Sequence, residues 1–82
     1  MVATEEIEKR IRKDILLFSE SLKKIDDAEL GGGEKKVVEL SKMYAQDSES
    51  WLEKGDLYTS FSSISYAHGL LDAVLKMKRI IG

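Results

Sequence analysis

Cysteine and proline are both absent from this chain, and histidine and tryptophan occur once each. Without cysteine there is no disulfide, no thiolate metal site and no cysteine nucleophile, and a cytoplasmic, reducing setting is expected. Without proline no helix is broken from within. Ala, Leu, Glu, Lys, Ile and Ser dominate, which favours helix. No apolar run approaches the roughly 20 residues of a membrane span, so no membrane partner is expected. The opening MVATEEIEKR is charged and lacks the apolar centre of a signal peptide, so none is expected. Neither sign of charge prevails. Lys and Arg total 13, Asp and Glu 15, the net charge is −2, and the signs are interspersed, as on a solvated surface without a steering field. Lys9, Arg10, Arg12, Lys13, Lys35 and Lys36 are each offset by nearby acids, and the tyrosines are not interleaved with a basic stripe, so no nucleic-acid partner is expected.

What is present is helical periodicity. Over residues 4–25, Ile7, Ile11, Ile15, Phe18, Leu22 and Ile25 recur at spacings of three and four and give one apolar stripe. Thr4 suits an N-cap, and Glu5 and Glu6 suit the first turn. Glu5–Lys9, Glu6–Arg10 and Glu8–Arg12 stand at i,i+4 in the favourable order. DDAELGGG at 26–33 breaks the pattern, with Gly31, Gly32 and Gly33 expected to end regular structure. A phosphate-loop reading is weak, since no strand precedes the glycines and the lysine is not followed by Ser or Thr, and a flexible interhelix loop is expected.

A second helix is expected over 34–54, with Val37, Leu40, Ser41, Tyr44, Ser48 and Trp51 on one face. The two serines on that face point to a close helix approach, each hydroxyl bonding its own backbone. EKGD at 53–56 is the sharpest local signal: Gly55 suits the left-handed position after a helix, and Asp56 the N-cap of the next. A third helix then runs over about 57–79, with Lys76, Lys78 and Arg79 in its last turn. Three helices with short connections predict an all-α, up-down-up three-helix bundle, one domain over residues 1–82. A chain of this length buries only about 60–65 % of its unfolded surface, so its core is thin and a partner would stabilise it.

The third helix carries more apolar surface than one bundle can cover. Leu57, Phe61, Ile64, His68, Leu71 and Leu75 form its main stripe, widened by Ala67 and Val74. On the opposite side Tyr66, Leu70, Ala73 and Met77 make a second series spaced four, three, four, like a coiled-coil seam. These four residues are the candidate interface, for a homodimer or another protein. Leu16, Leu17, Ile80 and Ile81 add further apolar surface off the main stripes. His68 lies within the main stripe with Asp72 one turn on, a pair able to bond directly, and Gly69 beside it suggests that a backbone or ring packs there, such as Tyr44 or Trp51. Asp14, Tyr44, Asp47, His68 and Asp72 form a candidate polar cluster. Its alternative reading is a small-ligand or catalytic pocket around His68 and Asp72 with Tyr44, Tyr58 and Trp51 as walls. The chemistry available there is thin. No paired Glu-x-x-His units exist for a metal, Ser60, Ser62, Ser63 and Ser65 sit mid-helix where a nucleophile is poorly set, and SFSSISYA before His68 holds no arginine for a helical ribonuclease site. No cofactor is expected, no catalytic residue is assigned, and the leading reading is a non-enzymatic interaction or oligomerisation module.

The residues WLEKGD at 51–56 and SYAHGLLDA at 65–73, with aromatic and then small residues between them, resemble the short archaeal helical proteins grouped as domain of unknown function 357. The resemblance implies a cytoplasmic three-helix bundle of archaeal origin and supplies no functional residues. More loosely, the same hairpin is similar to that of tetratricopeptide repeats, where a Gly-Asp turn precedes aromatic and small residues, here Tyr58, Phe61 and Ala67. A single such unit cannot form a solenoid. That likeness implies hairpin geometry and a protein-binding role.

Overall fold

The computed structural model describes residues 4–25 and 28–78. It contains three helices, α1 Thr4–Ile25, α2 Gly32–Glu53 and α3 Leu57–Met77, running up, down and up. The α2–α3 hairpin is the frame. Gly55 takes φ +83, its N–H donates to the Leu52 carbonyl at 3.1 Å, and the Asp56 N–H donates to the Trp51 carbonyl at 3.0 Å. These two bonds satisfy the last free carbonyls of α2 in the Schellman arrangement, which needs a left-handed residue. Asp56 then caps α3: its carboxylate accepts from the Thr59 N–H at 3.0 Å and from the Thr59 hydroxyl at 2.8 Å. The EKGD expectation therefore holds in detail.

Serines set the spacing inside the hairpin. The Ser48 hydroxyl donates to the Ser60 carbonyl at 2.8 Å, the Ser60 hydroxyl donates to the Ser48 carbonyl at 2.7 Å, and both side chains are fully buried. Only a side chain this small lets two helix backbones come within one hydroxyl of each other. Ser41 bonds within its own helix, to the Val38 carbonyl at 2.6 Å, whereas Ser48 reaches across, which corrects the sequence expectation for that residue. The buried face of α2 is accordingly Val38, Ser41, Ser48 and Leu52. Leu40 and Trp51 stay outside, 38 % and 37 % exposed, and Val37 and Tyr44 lie at the edge. The expected α2 stripe is thus rotated toward one flank, because the serines rather than the larger apolar residues sit nearest α3. On α3, Ser60 joins Ile64, Ala67, Leu71, Val74 and Leu75 in the interior. Phe61 remains exposed and Leu57 half-buried.

α1 rests chiefly on α3 and scarcely touches α2. Its buried residues, Ile11, Phe18 and Ile25, repeat every seven positions, while Ile15 and Leu22 are partly covered and Ile7 is exposed. The molecule is correspondingly wider than it is deep, 43 × 22 × 16 Å. Thr4 is itself the first helical residue of α1 and not its cap. Glu5–Lys9, Glu6–Arg10 and Glu8–Arg12 do not close into ion pairs; Arg10 turns instead to Asp14, at 3.5 Å.

The glycine run does not end regular structure as expected. Gly32 and Gly33 are the first residues of α2, and Gly31 is its extended N-cap. The Glu34 carboxylate accepts from the Gly31 N–H at 2.8 Å and is itself held by the Lys78 ammonium at 2.8 Å. One half of a capping box, anchored from the far end of α3, starts the helix inside the glycines. Asp26 and Asp27, and the proposed end of α3 at Arg79 with Ile80 and Ile81, lie outside the described residues.

Candidate functional site

α1 covers one side of the α2–α3 hairpin, and the candidate interface lies on the other. His68 and Phe61 mark the α1 side of α3, while Tyr66, Leu70 and Met77 point about half a turn away. Tyr66 is 52 % exposed, Met77 is 61 % exposed, Ala73 is exposed and Leu70 is half-buried. The Tyr66 ring meets Tyr44 of α2 edge to face, with centroids 4.6 Å apart. That contact sets the α3 stripe beside the flank of α2 that carries Tyr44 and the exposed Leu40. The α2 half of this face escapes the sequence reading, which places those residues in the core. The signal that would have found it is the seven-residue spacing of Ser41 and Ser48, matched by Ser60 twelve residues after Ser48.

The candidate polar cluster separates into pieces. His68 Nε2 lies 2.7 Å from the Asp14 main-chain carbonyl. A carbonyl only accepts, so Nε2 carries the proton and donates across from α3 to α1. The imidazole also stands edge-on to Phe18, centroids 5.7 Å apart at 89°. The Asp14 carboxylate faces Arg10, not the histidine. Tyr44 packs on Tyr66, Asp47 is exposed on α2, and Asp72 is half-buried without a hydrogen bond to His68. Gly69 has open space where a Cβ would stand, so neither Tyr44 nor Trp51 packs against it. Among the described residues no three His, Asp or Glu side chains gather as a metal site would require.

The surface clefts open elsewhere. A groove of about 550 Å³ between the N-terminal ends of α1 and α3 is lined by Ile7, Leu57, Tyr58 and Phe61, with Glu6 and Arg10 at its rim. Two shallower clefts, about 460 and 260 Å³, follow the loosely closed α1–α2 seam past Ile15 and Ser19. His68 and Asp72 line none of the three, and Tyr58, 84 % exposed, and Trp51, under the Lys54 ammonium at 4.9 Å, wall no common cavity with them.

Two carboxyls depart from their ordinary titration. Glu34 is held low by its bond to Lys78 and then by the Gly31 N–H, against a smaller opposing effect of burial. Asp56 is held low by the Thr59 N–H and hydroxyl. Both are helix-start carboxylates with structural partners.

A family model described as a protein of unknown function, DUF357, matches residues 13–80. The chain belongs to the DUF357 family. The match spans most of α1 together with all of α2 and α3, and so extends beyond the hairpin that carries the sequence resemblance. No curated protein matches this DUF357 chain. Membership assigns no residue a role. None of the helices among the described residues is long and apolar enough to cross a membrane.

Proposed function

We propose that this DUF357 chain is a non-enzymatic protein–protein interaction module whose working surface is the α2–α3 face turned away from α1. The observation that carries the reading is the Tyr44–Tyr66 contact, which ties the stripe of Tyr66, Leu70, Ala73 and Met77 to α2, where Leu40 is exposed as well. Scattered apolar residues are ordinary on a protein surface, whereas a contiguous stripe along a hairpin marks a docking face. Association there removes apolar area from water at roughly 25 cal/mol per Å², and the tyrosine rings supply rigid, amphipathic contact area. The bond from His68 to a main-chain carbonyl supports a structural role for the histidine, a tie between α3 and α1, over a pocket around His68 and Asp72. The lack of cysteine supports work in a reducing, cytoplasmic compartment.

A photo-crosslinking residue placed at Leu70, with Lys13 on the exposed side of α1 as control, tests the reading in the cells that make the protein. Covalent protein adducts are expected at position 70 and not at position 13. Equal labelling at both, or none at either, would mean the face is bare.

A further inference from the structure

Resting on that reading, we propose that the occupant of the α2–α3 face is a second copy of this chain, packed antiparallel about a two-fold axis. The axis crosses the face at the level of His68 and Gly69 on α3 and between Leu40 and Met43 on α2.

Three contacts fix how the two helices of the hairpin are levelled. Ser48 meets Ser60, Tyr44 meets Tyr66 and Glu34 meets Lys78, so each step down α2 is matched by a step up α3. Residues 41 and 42 of α2 therefore lie opposite 68 and 69 of α3. On α3, the outward stripe of Thr59, Ser63, Tyr66, Leu70, Ala73 and Met77 carries no charge, and it is symmetric about position 68. Reversed upon itself, it sets Tyr66 against the second copy's Leu70, Ser63 against Ala73, and Thr59 against Met77. Large lies on large at the centre and small on small beyond it, and only the outermost pair, Thr59 on Met77, is unequal in size.

α2 shows the same symmetry independently. Lys36 and Asp47 are both exposed, lie on the outward flank, and stand eleven residues apart, about 16 Å along the helix. Neither pairs within the chain among the described residues. Their midpoint falls between residues 41 and 42, the level that α3 selects. Antiparallel packing brings each Lys36 to the other copy's Asp47, twice over, with Leu40 against Met43 between the pairs. A two-fold axis along the helices would set α2 on the second copy's α3 and leave Lys36 and Asp47 apart, so charge selects the antiparallel packing. An unrelated partner would give no reason for two helices to share one centre of symmetry.

Gly69 fits the same level. It weakens α3 relative to alanine, yet it adopts no left-handed conformation and nothing in the chain would touch its Cβ.

Light scattering across a tenfold concentration range tests the proposal, with circular dichroism as the control for folding. The parent chain is expected near twice 9.3 kDa, and Leu70→Glu near 9.3 kDa with its helicity unchanged. Lys36→Asp alone and Asp47→Lys alone should each raise the dimer Kd by about tenfold, and the two together should return it to within about threefold of the parent. A parent that stays monomeric overturns the second copy as occupant, while crosslinks from position 70 to other proteins would leave the broader reading standing. A dimer untouched by Leu70→Glu overturns the face. A dimer that the combined charge exchange fails to restore overturns the antiparallel register.

Discussion

His68 is polar and half-buried, and it links two helices. Its Nε2 proton goes to the Asp14 carbonyl on α1, and its ring edge packs on Phe18. It is the one side-chain hydrogen bond from α3 to α1 among the described residues, on a helix that otherwise holds by a thin apolar stripe. His68→Ala should therefore lower stability by about 1–3 kcal/mol, a fall of several degrees in Tm for a domain this small, while leaving the α2–α3 hairpin intact. Unchanged melting of His68→Ala would remove the tie assigned to it. Ser60 makes a second case. Its position is in the core, where a larger apolar side chain would ordinarily be welcome. Here the Ser48 and Ser60 oxygens lie 3.1 Å apart, and both side chains are fully buried. Ser60→Val is expected to cost about 1–3 kcal/mol through overpacking and to be worse than Ser60→Ala, which still leaves the Ser48 hydroxyl on the Ser60 carbonyl. Chemical denaturation of the two variants decides it, and a valine more stable than the alanine would contradict the close approach.

Elements differ in how firmly they are held. α2 and α3 share reciprocal serine bonds, a capped turn at one end and the Glu34–Lys78 contact at the other, whereas α1 leans on α3 and leaves its seam with α2 open. Native-state hydrogen exchange should show the central amides of α1, around Ile11 to Phe18, opening at lower free energy than those around Ile64 to Leu71. Equal protection in both segments would mean that α1 is integral to the cooperative unit. The helix starts carry the acid sensitivity. Glu34 and Asp56 both hold their protons less tightly folded than unfolded. Their contribution is complete above the ordinary carboxylate range of about 4 and is lost as pH falls through the lowered folded values, because the unfolded chain takes up each proton first. Stability should thus decline below about pH 4, and Glu34→Gln should flatten that decline. An identical acid slope in the variant would place the loss in other carboxyls.

At the scale of the whole molecule, one side of the hairpin has α1 on it and, among the described residues, the other has no helix. If a second copy covers the remaining face, folding and association are linked, and Tm must rise with protein concentration. Calorimetry over a tenfold range should show that rise in the parent chain and its absence in Leu70→Glu. A Tm independent of concentration in both would separate stability from self-association.

The sequence by itself determined the three helices, the tight hairpin and the excess of apolar surface on α3. These rest on capping residues and on periodicities of three and four, interactions that close within a few positions of the chain. The start of α2 inside the glycines was not legible, because the residue that anchors Glu34 is Lys78, at the other end of the next helix. Nor was the flank of α2 that faces inward. A wheel cannot choose between Tyr44 and Ser48, since apolar content favours the first and only the approach of Ser60 places the second in the interior. The partner of His68 was likewise beyond its own helix: Asp72 is four residues away in the chain, but the carbonyl that takes the proton is Asp14, and packing of α1 on α3 decided it.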